Sequence, residues 1–139
     1  MRASRSQLLL PLILCAAGCL WRGYGTIMEV HLDVLTQTAA KLCSVVESGR
    51  GPLAEGMAEY VYPAQRARVF LRQFSNYSDR RSYQQFGVLL DRYEALVHEV
   101  DAARSQGQLG PEVAERLNRE RDALQASASE IRAAVRKGS

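Results

Sequence analysis

The chain has 139 residues, of which 47% are apolar and 24% are charged, so it is long enough for one folded domain of ordinary size. Its net charge of +3 owes most to Arg2 and Arg5 near the start, because without those two the other 16 basic and 15 acidic residues nearly cancel. The composition therefore excludes a long disordered chain and leaves little support for a nucleic-acid-binding protein.

The first 19 residues divide into three zones that are typical of a secretory signal peptide. A short basic start is followed by an apolar run from Leu8 to Ala17, and small residues then lead to Cys19. The uncharged stretch from 6 to 21 would form a helix of about 24 Å, against a hydrocarbon core of about 30 Å. It is short for a membrane span, so we expect a cleaved leader.

The run Ala16-Ala17-Gly18-Cys19 resembles the lipobox of bacterial lipoproteins, with Ala16 where that family most often has leucine. The resemblance covers the leader alone. It implies that Cys19 receives a diacylglycerol, that a peptidase cuts after Gly18, and that the new amino group can be acylated by a fatty acid such as palmitate. It also implies the periplasmic face of a membrane, and Leu20, where inner-membrane lipoproteins tend to have aspartate, favours the outer membrane.

These features predict a cleaved signal peptide over 1–18, a short membrane tether over 19–25 and a helical bundle domain over 26–139. The tether reaches at most about 25 Å, so the domain should stay near the bilayer. Trp21 and Tyr24 belong to residue types that favour the membrane interface. A soluble secreted protein and an uncleaved membrane anchor stay open as alternatives.

From Thr26 onward apolar residues recur at spacings of three and four, which predicts helices. The capping box Thr26-Ile27-Met28-Glu29 predicts a first helix that begins at Ile27 and ends at Ser48-Gly49. Gly51-Pro52 predicts the start of a second helix, which should continue to Tyr77. Pro63 predicts a kink or a break in that helix.

A second capping box, Ser82-Tyr83-Gln84-Gln85, predicts a third helix that ends near Gly107, and Gly110-Pro111 predicts the start of the fourth. Because the turns are short, neighbouring helices should be antiparallel. The predicted fold class is therefore all-α, an antiparallel up-down four-helix bundle with helix 2 kinked near Pro63.

The fourth helix has the thinnest apolar stripe: Val113, Leu117, Leu124, Ile131 and Val135. Glu120 or Arg121 stands where another apolar residue would be expected. Glu112 with Arg116 and Glu115 with Arg119 are spaced for favourable ion pairs along the helix. This helix is either a solvated outer helix or one that pairs with a partner, as in a coiled coil.

The sequence offers few groups for chemistry. Cleavage would remove Cys15 and lipid would modify Cys19, so we expect Cys43 to be a buried apolar thiol. His31 shares a stripe with Leu35 and is expected at the edge of the core. Glu94, His98 and Asp101 share one helical face, which could hold a metal or raise the proton affinity of the histidine.

No Glu-x-x-His pair, haem-attachment signature, nucleophile motif or phosphate-binding loop occurs in the sequence. We therefore predict no enzyme activity, no cofactor and no metal site.

Residues 60–93 hold eight of the ten aromatic residues. Five arginines in the same stretch form a candidate contact surface for anionic lipid head groups, peptidoglycan or an acidic protein: Arg66, Arg68, Arg72, Arg80 and Arg81. The alternative is that the rings lie in the core while the arginines are solvated on the outside.

These observations predict a membrane-anchored periplasmic lipoprotein whose bundle binds or positions another component of the cell envelope, without catalysis. In size and layout the chain resembles the small helical lipoproteins that act as assembly factors or pilotins. The alternative is a bundle at the membrane surface that binds or senses a ligand or a metal. Neither hypothesis names the partner.

Overall fold

The computed structural model describes the backbone of residues 6–49, 53 and 56–138, and the side chains in these ranges from Gly23 onward. The long helices are α1 (Ser6–Ser48), α2 (Ala58–Gln73), α3 (Arg81–Ser105) and α4 (Pro111–Lys137), with a short 3-10 turn at Ser75–Tyr77. Each regular element in the described ranges is a helix. The all-helical class predicted from the sequence is thus confirmed.

The four helices form a ring of neighbours around one core. α1 packs mainly against α2 and α4, and α3 packs against the same two helices from the other side. All four contribute fully buried side chains, among them Leu32, Phe70, Phe86 and Leu117. The α1–α2 pair therefore forms one side of the bundle and the α3–α4 pair forms the opposite side.

Helix α1 begins much earlier than the sequence indicates. It runs from Ser6 without interruption through the predicted boundaries after 18 and 25, and Thr26 is an exposed residue inside it. The predicted start at Ile27 is wrong because Tyr24 and Met28, one turn apart, already share the buried face. The predicted end is confirmed, since the helix stops at Ser48 and Gly49 follows with φ of 60°.

Helix α2 also differs from the prediction. The proposed start at Gly51-Pro52 lies outside the described residues, but Gly56 with φ of 108° precedes the helix, which begins at Ala58. The helix continues through Pro63 to Gln73, so the predicted break is absent. Pro63 lies just after the first turn, where its missing N–H leaves only the Glu59 carbonyl without its helical donor. The residues up to Tyr77 form the separate 3-10 turn.

Helix α3 does not use the predicted cap. It begins at Arg81, and Ser82 lies fully buried in the first turn with its hydroxyl 3.2 Å from that of Tyr24. The capping role assigned to Ser82 is wrong because its hydroxyl makes a tertiary contact instead. The predicted end at Gly107, which has φ of 67°, and the start of α4 at Pro111 are confirmed.

Helix α4 is a full member of the core. Four of the five predicted stripe residues are buried, namely Leu117, Leu124, Ile131 and Val135, and Val113 packs partly buried against them. Of the two predicted ion pairs, Glu115 with Arg119 is present at 3.1 Å. Arg116 instead binds Glu99 of α3, which ties two helices together.

Candidate functional site

The predicted lipidation residue, Cys19, lies within α1, and Tyr24, five residues further along the same helix, is part of the core. The Tyr24 ring stacks on Tyr77 with centroids 4.6 Å apart and on Phe70 at 5.7 Å. The expectation that Tyr24 lies at the membrane interface is therefore wrong, because its ring is fully buried inside the bundle. None of the helices that the structure describes is long and apolar enough to cross a membrane.

An exposed apolar surface lies on the side of the bundle formed by α1 and α2. Ile27, Val30 and Val34 are spaced by three and four residues along α1 and are 41%, 56% and 41% exposed. On α2, Tyr62 and Val69 are seven residues apart and 58% and 41% exposed. Both spacings bring the residues to one side of their helix. We call these five residues and Arg66 the α1–α2 face.

Arg66 lies beside Tyr62 on this face. The guanidinium donates a hydrogen bond to the Tyr62 hydroxyl at 3.2 Å and lies 5.8 Å from the centre of that ring. Such a pair combines a fixed positive charge with an aromatic edge at the protein surface. Nearby, Lys41 of α1 forms an ion pair with Glu59 of α2, which neutralises both charges.

The other predicted arginines point to different parts of the molecule. Arg68 binds Glu94 and Asp91 of α3, with its Nε 3.1 Å from a Glu94 oxygen, and these hydrogen bonds raise the pKa of Arg68. Arg80 donates to the Gly138 carbonyl at 3.0 Å. Arg72, in the last turn of α2, and Arg81, at the start of α3, are exposed. The structure therefore distributes the five arginines over several surfaces and leaves Arg66 on the α1–α2 face.

A groove of about 360 Å³ between α2 and α3 contains the three polar residues that the sequence places on one helical face, Glu94, His98 and Asp101. Arg68 binds Glu94, and Arg104 binds Asp101 at 2.7 Å. Within the described residues no group of three or more histidine, cysteine, aspartate or glutamate side chains is arranged to hold a metal.

Two tyrosines line the same groove. The Tyr93 hydroxyl donates to the Tyr60 carbonyl at 2.7 Å, whereas the buried Tyr60 hydroxyl has no hydrogen-bond partner within the described part of the chain. Burial raises the pKa of both side chains. A buried hydroxyl without a partner costs free energy.

A second groove, of about 280 Å³, lies on the opposite side of the bundle between α3 and α4. Val88 lines it with 61% of its surface exposed, and the buried Oε1 of Gln85 has no hydrogen-bond partner in the described ranges. The sequence analysis missed this site. The available signal was Val88 itself, an aliphatic residue that falls outside the buried stripe of α3.

The remaining candidate groups lie in or beside the core. Cys43 is buried, its thiol lies 3.4 Å from the Leu117 carbonyl, and burial raises its pKa, so the prediction of a buried apolar thiol is confirmed. His31 is half-buried with its ring 5.2 Å from that of Phe70. Burial, and then the positive charge of Arg66, lower the pKa of His31.

Comparison of the chain with known family models, with curated proteins and with solved structures finds no match. The functional assignment therefore depends on the residues of this chain alone. Three of its surfaces carry unusual groups: the α1–α2 face, the α2–α3 groove and the α3–α4 groove.

Proposed function

We propose that this chain is a bacterial lipoprotein of the periplasm, anchored through an acylated Cys19, and that its bundle binds or positions another component of the cell envelope without catalysis. The lipobox-like run that ends at Cys19 supports the anchor. One structural observation supports the rest: the helix that contains Cys19 also contributes Tyr24, five residues further on, to the core.

This geometry keeps the bundle at the membrane. Five helical residues span about 7.5 Å, far less than an extended tether of the same length would allow. A domain held this close acts at the membrane surface and cannot reach far into the periplasm. Leu20, after the modified cysteine, favours the outer membrane over the inner one.

The α3–α4 groove is the part of this bundle that suits a protein partner. It combines an exposed apolar side chain, Val88, with a buried acceptor, Gln85 Oε1. A partner segment that covered Val88 with an apolar residue would remove the exposed part of that side chain from water. This groove lies on the side of the bundle opposite the α1–α2 face, so a partner there leaves α1 free for the membrane.

The proposal includes an antiparallel up-down arrangement of the helices, with a bend of α2 at Pro63. Contacts between α1 and α2 support the antiparallel order, because residues that come later in α1 meet residues that come earlier in α2. His31 lies against Phe70 and Lys41 binds Glu59, while Tyr24, earlier in α1, stacks on Tyr77 in the turn that follows α2.

Metabolic labelling with a palmitate analogue tests the anchor. The wild-type chain should carry the label and fractionate with membranes, and Cys19→Ser should lose both properties. Cys43→Ser is the matched control, because Cys43 is buried in the core and its replacement should leave the label in place. Retention of label and membrane association in Cys19→Ser would overturn the proposed anchor.

Site-specific crosslinking tests the partner groove. A photoreactive residue in place of Val88 should capture a defined envelope protein in living cells. The same residue in place of Ser129, an exposed position on α4 outside the groove, serves as the control. If position 88 captures no more protein than position 129, the groove is not the partner site.

A second candidate function is ligand binding in the α2–α3 groove, which the unpartnered Tyr60 hydroxyl favours. Native mass spectrometry of the protein purified from envelopes should then show a bound species. Val61→Trp, a change at an exposed residue of the groove wall, should displace that species. A wild-type mass with no bound species rejects this function.

A further inference from the structure

The exposed residues of α1 lie in register with the proposed lipid site. Cys19 precedes Val30 by 11 residues and Val34 by 15, which at 3.6 residues per turn are about three and four turns. A continuous helix from Ser6 to Ser48 connects these positions, so Cys19 and the exposed valines occupy one side of α1. If Cys19 carries a lipid that is inserted in the bilayer, the bilayer therefore lies on the side of α1 that carries Val30 and Val34.

The distance along the helix fits the same conclusion. Ile27 is eight residues beyond Cys19, or about 12 Å of helix, and Val34 about 22 Å. Helices that lie in the membrane interface bury an apolar side about 5–10 Å into the boundary between head groups and acyl chains. A helix lying along the bilayer from Cys19 to Val34 would place both the lipid and the three apolar residues at that depth.

The chemistry of the neighbouring helix suits lipid head groups. Tyr62 is an exposed aromatic residue of a type that concentrates at membrane interfaces, and Arg66 beside it can bind a phosphate through two parallel hydrogen bonds. The acidic groups nearby are already paired: Glu59 binds Lys41, and Asp33 binds Arg132 of α4. No acidic side chain in the described part of the molecule forms an ion pair with Arg66, and its charge leaves this face positive, which complements anionic lipids.

We propose that the α1–α2 face is the membrane-contacting surface of the domain, with Ile27, Val30 and Val34 at the lipid interface and Arg66 on anionic head groups. The proposal rests on the lipid anchor at Cys19 and specifies how the anchored bundle is oriented. The α3–α4 groove then faces away from the bilayer, where an envelope protein can reach it.

The test uses the mature lipidated protein in vesicles of phosphatidylethanolamine and phosphatidylglycerol. An environment-sensitive fluorophore is attached to Val30→Cys or, as the matched control, to Val88→Cys, since both valines are similarly exposed on opposite sides of the bundle. Brominated lipids should quench the fluorophore at position 30 several-fold more than at position 88. Equal and weak quenching at both positions would overturn the proposed orientation.

Two further variants separate the apolar and the charged contributions. Val34→Glu, introduced with the label at position 30, should reduce the quenching there. Arg66→Gln should reduce it in vesicles that contain phosphatidylglycerol and leave it unchanged in neutral vesicles. No change with either variant would contradict lipid contact through this face.

The same samples distinguish this proposal from the anchor on which it rests. If Cys19 carries no lipid, neither labelled protein stays with the vesicles. If the anchor holds but the orientation is wrong, both proteins remain bound while position 30 stays accessible to water. Protein capture by a crosslinker at position 30 in cells, without quenching in vesicles, would assign this face to a protein and overturn the proposal.

Discussion

The hydroxyl of Tyr24 in α1 lies 3.2 Å from the Oγ of Ser82 in α3, and both side chains are fully buried. The two residues are 58 positions apart in the chain. This contact connects the Tyr24 segment of α1 to the first turn of α3, and the stacking of Tyr24 on Tyr77 connects the same segment to the 3-10 turn. The packed domain therefore includes residue 24, close behind the proposed lipid site.

Replacement of Tyr24 should destabilise the whole bundle. We expect Tyr24→Ala to lower the free energy of unfolding by about 3–5 kcal/mol, because it removes a large fully buried ring. Chemical denaturation followed by circular dichroism measures this change. Tyr62→Ala, at a tyrosine that is 58% exposed, is the control and should cost less than about 1 kcal/mol. Equal effects of the two variants would show that Tyr24 is not part of the core.

Gly25 should be required where α1 and α4 approach each other. A Cβ atom at this position would lie 2.9 Å from Cγ1 of Val135, so Gly25→Ala should lower the melting temperature despite the better helix propensity of alanine. Gly87→Ala in α3 meets no atom within 4 Å and should stabilise the protein by about 0.5–1 kcal/mol. The double variant Gly25→Ala with Val135→Ala should be less unstable than the sum of the single changes. An additive result would rule out the steric contact.

The stability of the protein should depend on His31 at mildly acidic pH. Burial and Arg66 lower the pKa of His31 below its usual 6.5, so the unfolded chain binds a proton more readily than the folded one. The contribution of neutral His31 to the free energy of unfolding is complete above about pH 6.5. It is lost as the pH falls through the lower pKa of the folded state. Denaturation curves between pH 7.5 and 5 should show a shallower pH dependence for His31→Gln.

His98→Gln provides the comparison for that measurement, because His98 is an exposed residue on α3. This variant keeps the half-buried His31, so a slope of stability against pH that changes only in His31→Gln assigns the pH dependence to His31. The assignment to His31 fails if both variants change the slope equally or if neither changes it.

Arg68 should contribute more to stability than an ordinary surface arginine. It binds Glu94 and Asp91 together and so joins α2 to α3, whereas Arg119 binds only Glu115 along a single helix. We expect Arg68→Ala to cost about 1 kcal/mol and Arg119→Ala about 0.3–0.5 kcal/mol. Both losses should shrink in high salt. Equal losses in thermal denaturation would show that the contact between helices adds nothing.

Sequence patterns predicted local features of this fold well and tertiary ones poorly. Gly49 and Gly107 marked helix ends because a left-handed residue is favourable for glycine wherever it occurs. The spacing of Ser82 to Gln85 fits a capping box and predicts a cap, but the Ser82 hydroxyl contacts Tyr24 of another helix. The spacing along α4 predicts an ion pair of Arg116 with Glu112, whereas Arg116 binds Glu99 of α3, which no local pattern in α4 indicates.

For the candidate surfaces, too, the sequence indicates which residues are unusual, whereas tertiary contacts show which of them lie together. The five arginines were found by composition, but only their contacts separate Arg66 on the α1–α2 face from Arg68, which is bound to α3. The sequence marks Val88 as an aliphatic residue outside the stripe of α3, but only the structure shows the groove that it lines with residues of α4. Cys43 was predicted correctly since an apolar helical stripe is a local property.

The sequence by itself determined the all-helical class, the ends of α1 and α3 and the start of α4, because apolar periodicity and a glycine or proline at a helix end are properties of residues close together in the chain. The tertiary structure alone decided that α1 begins before Thr26 and that Tyr24 belongs to the core. It also decided which side of the bundle exposes Ile27, Val30 and Val34. Burial depends on partners from distant segments, such as Tyr77 and Ser82, and no local pattern records them.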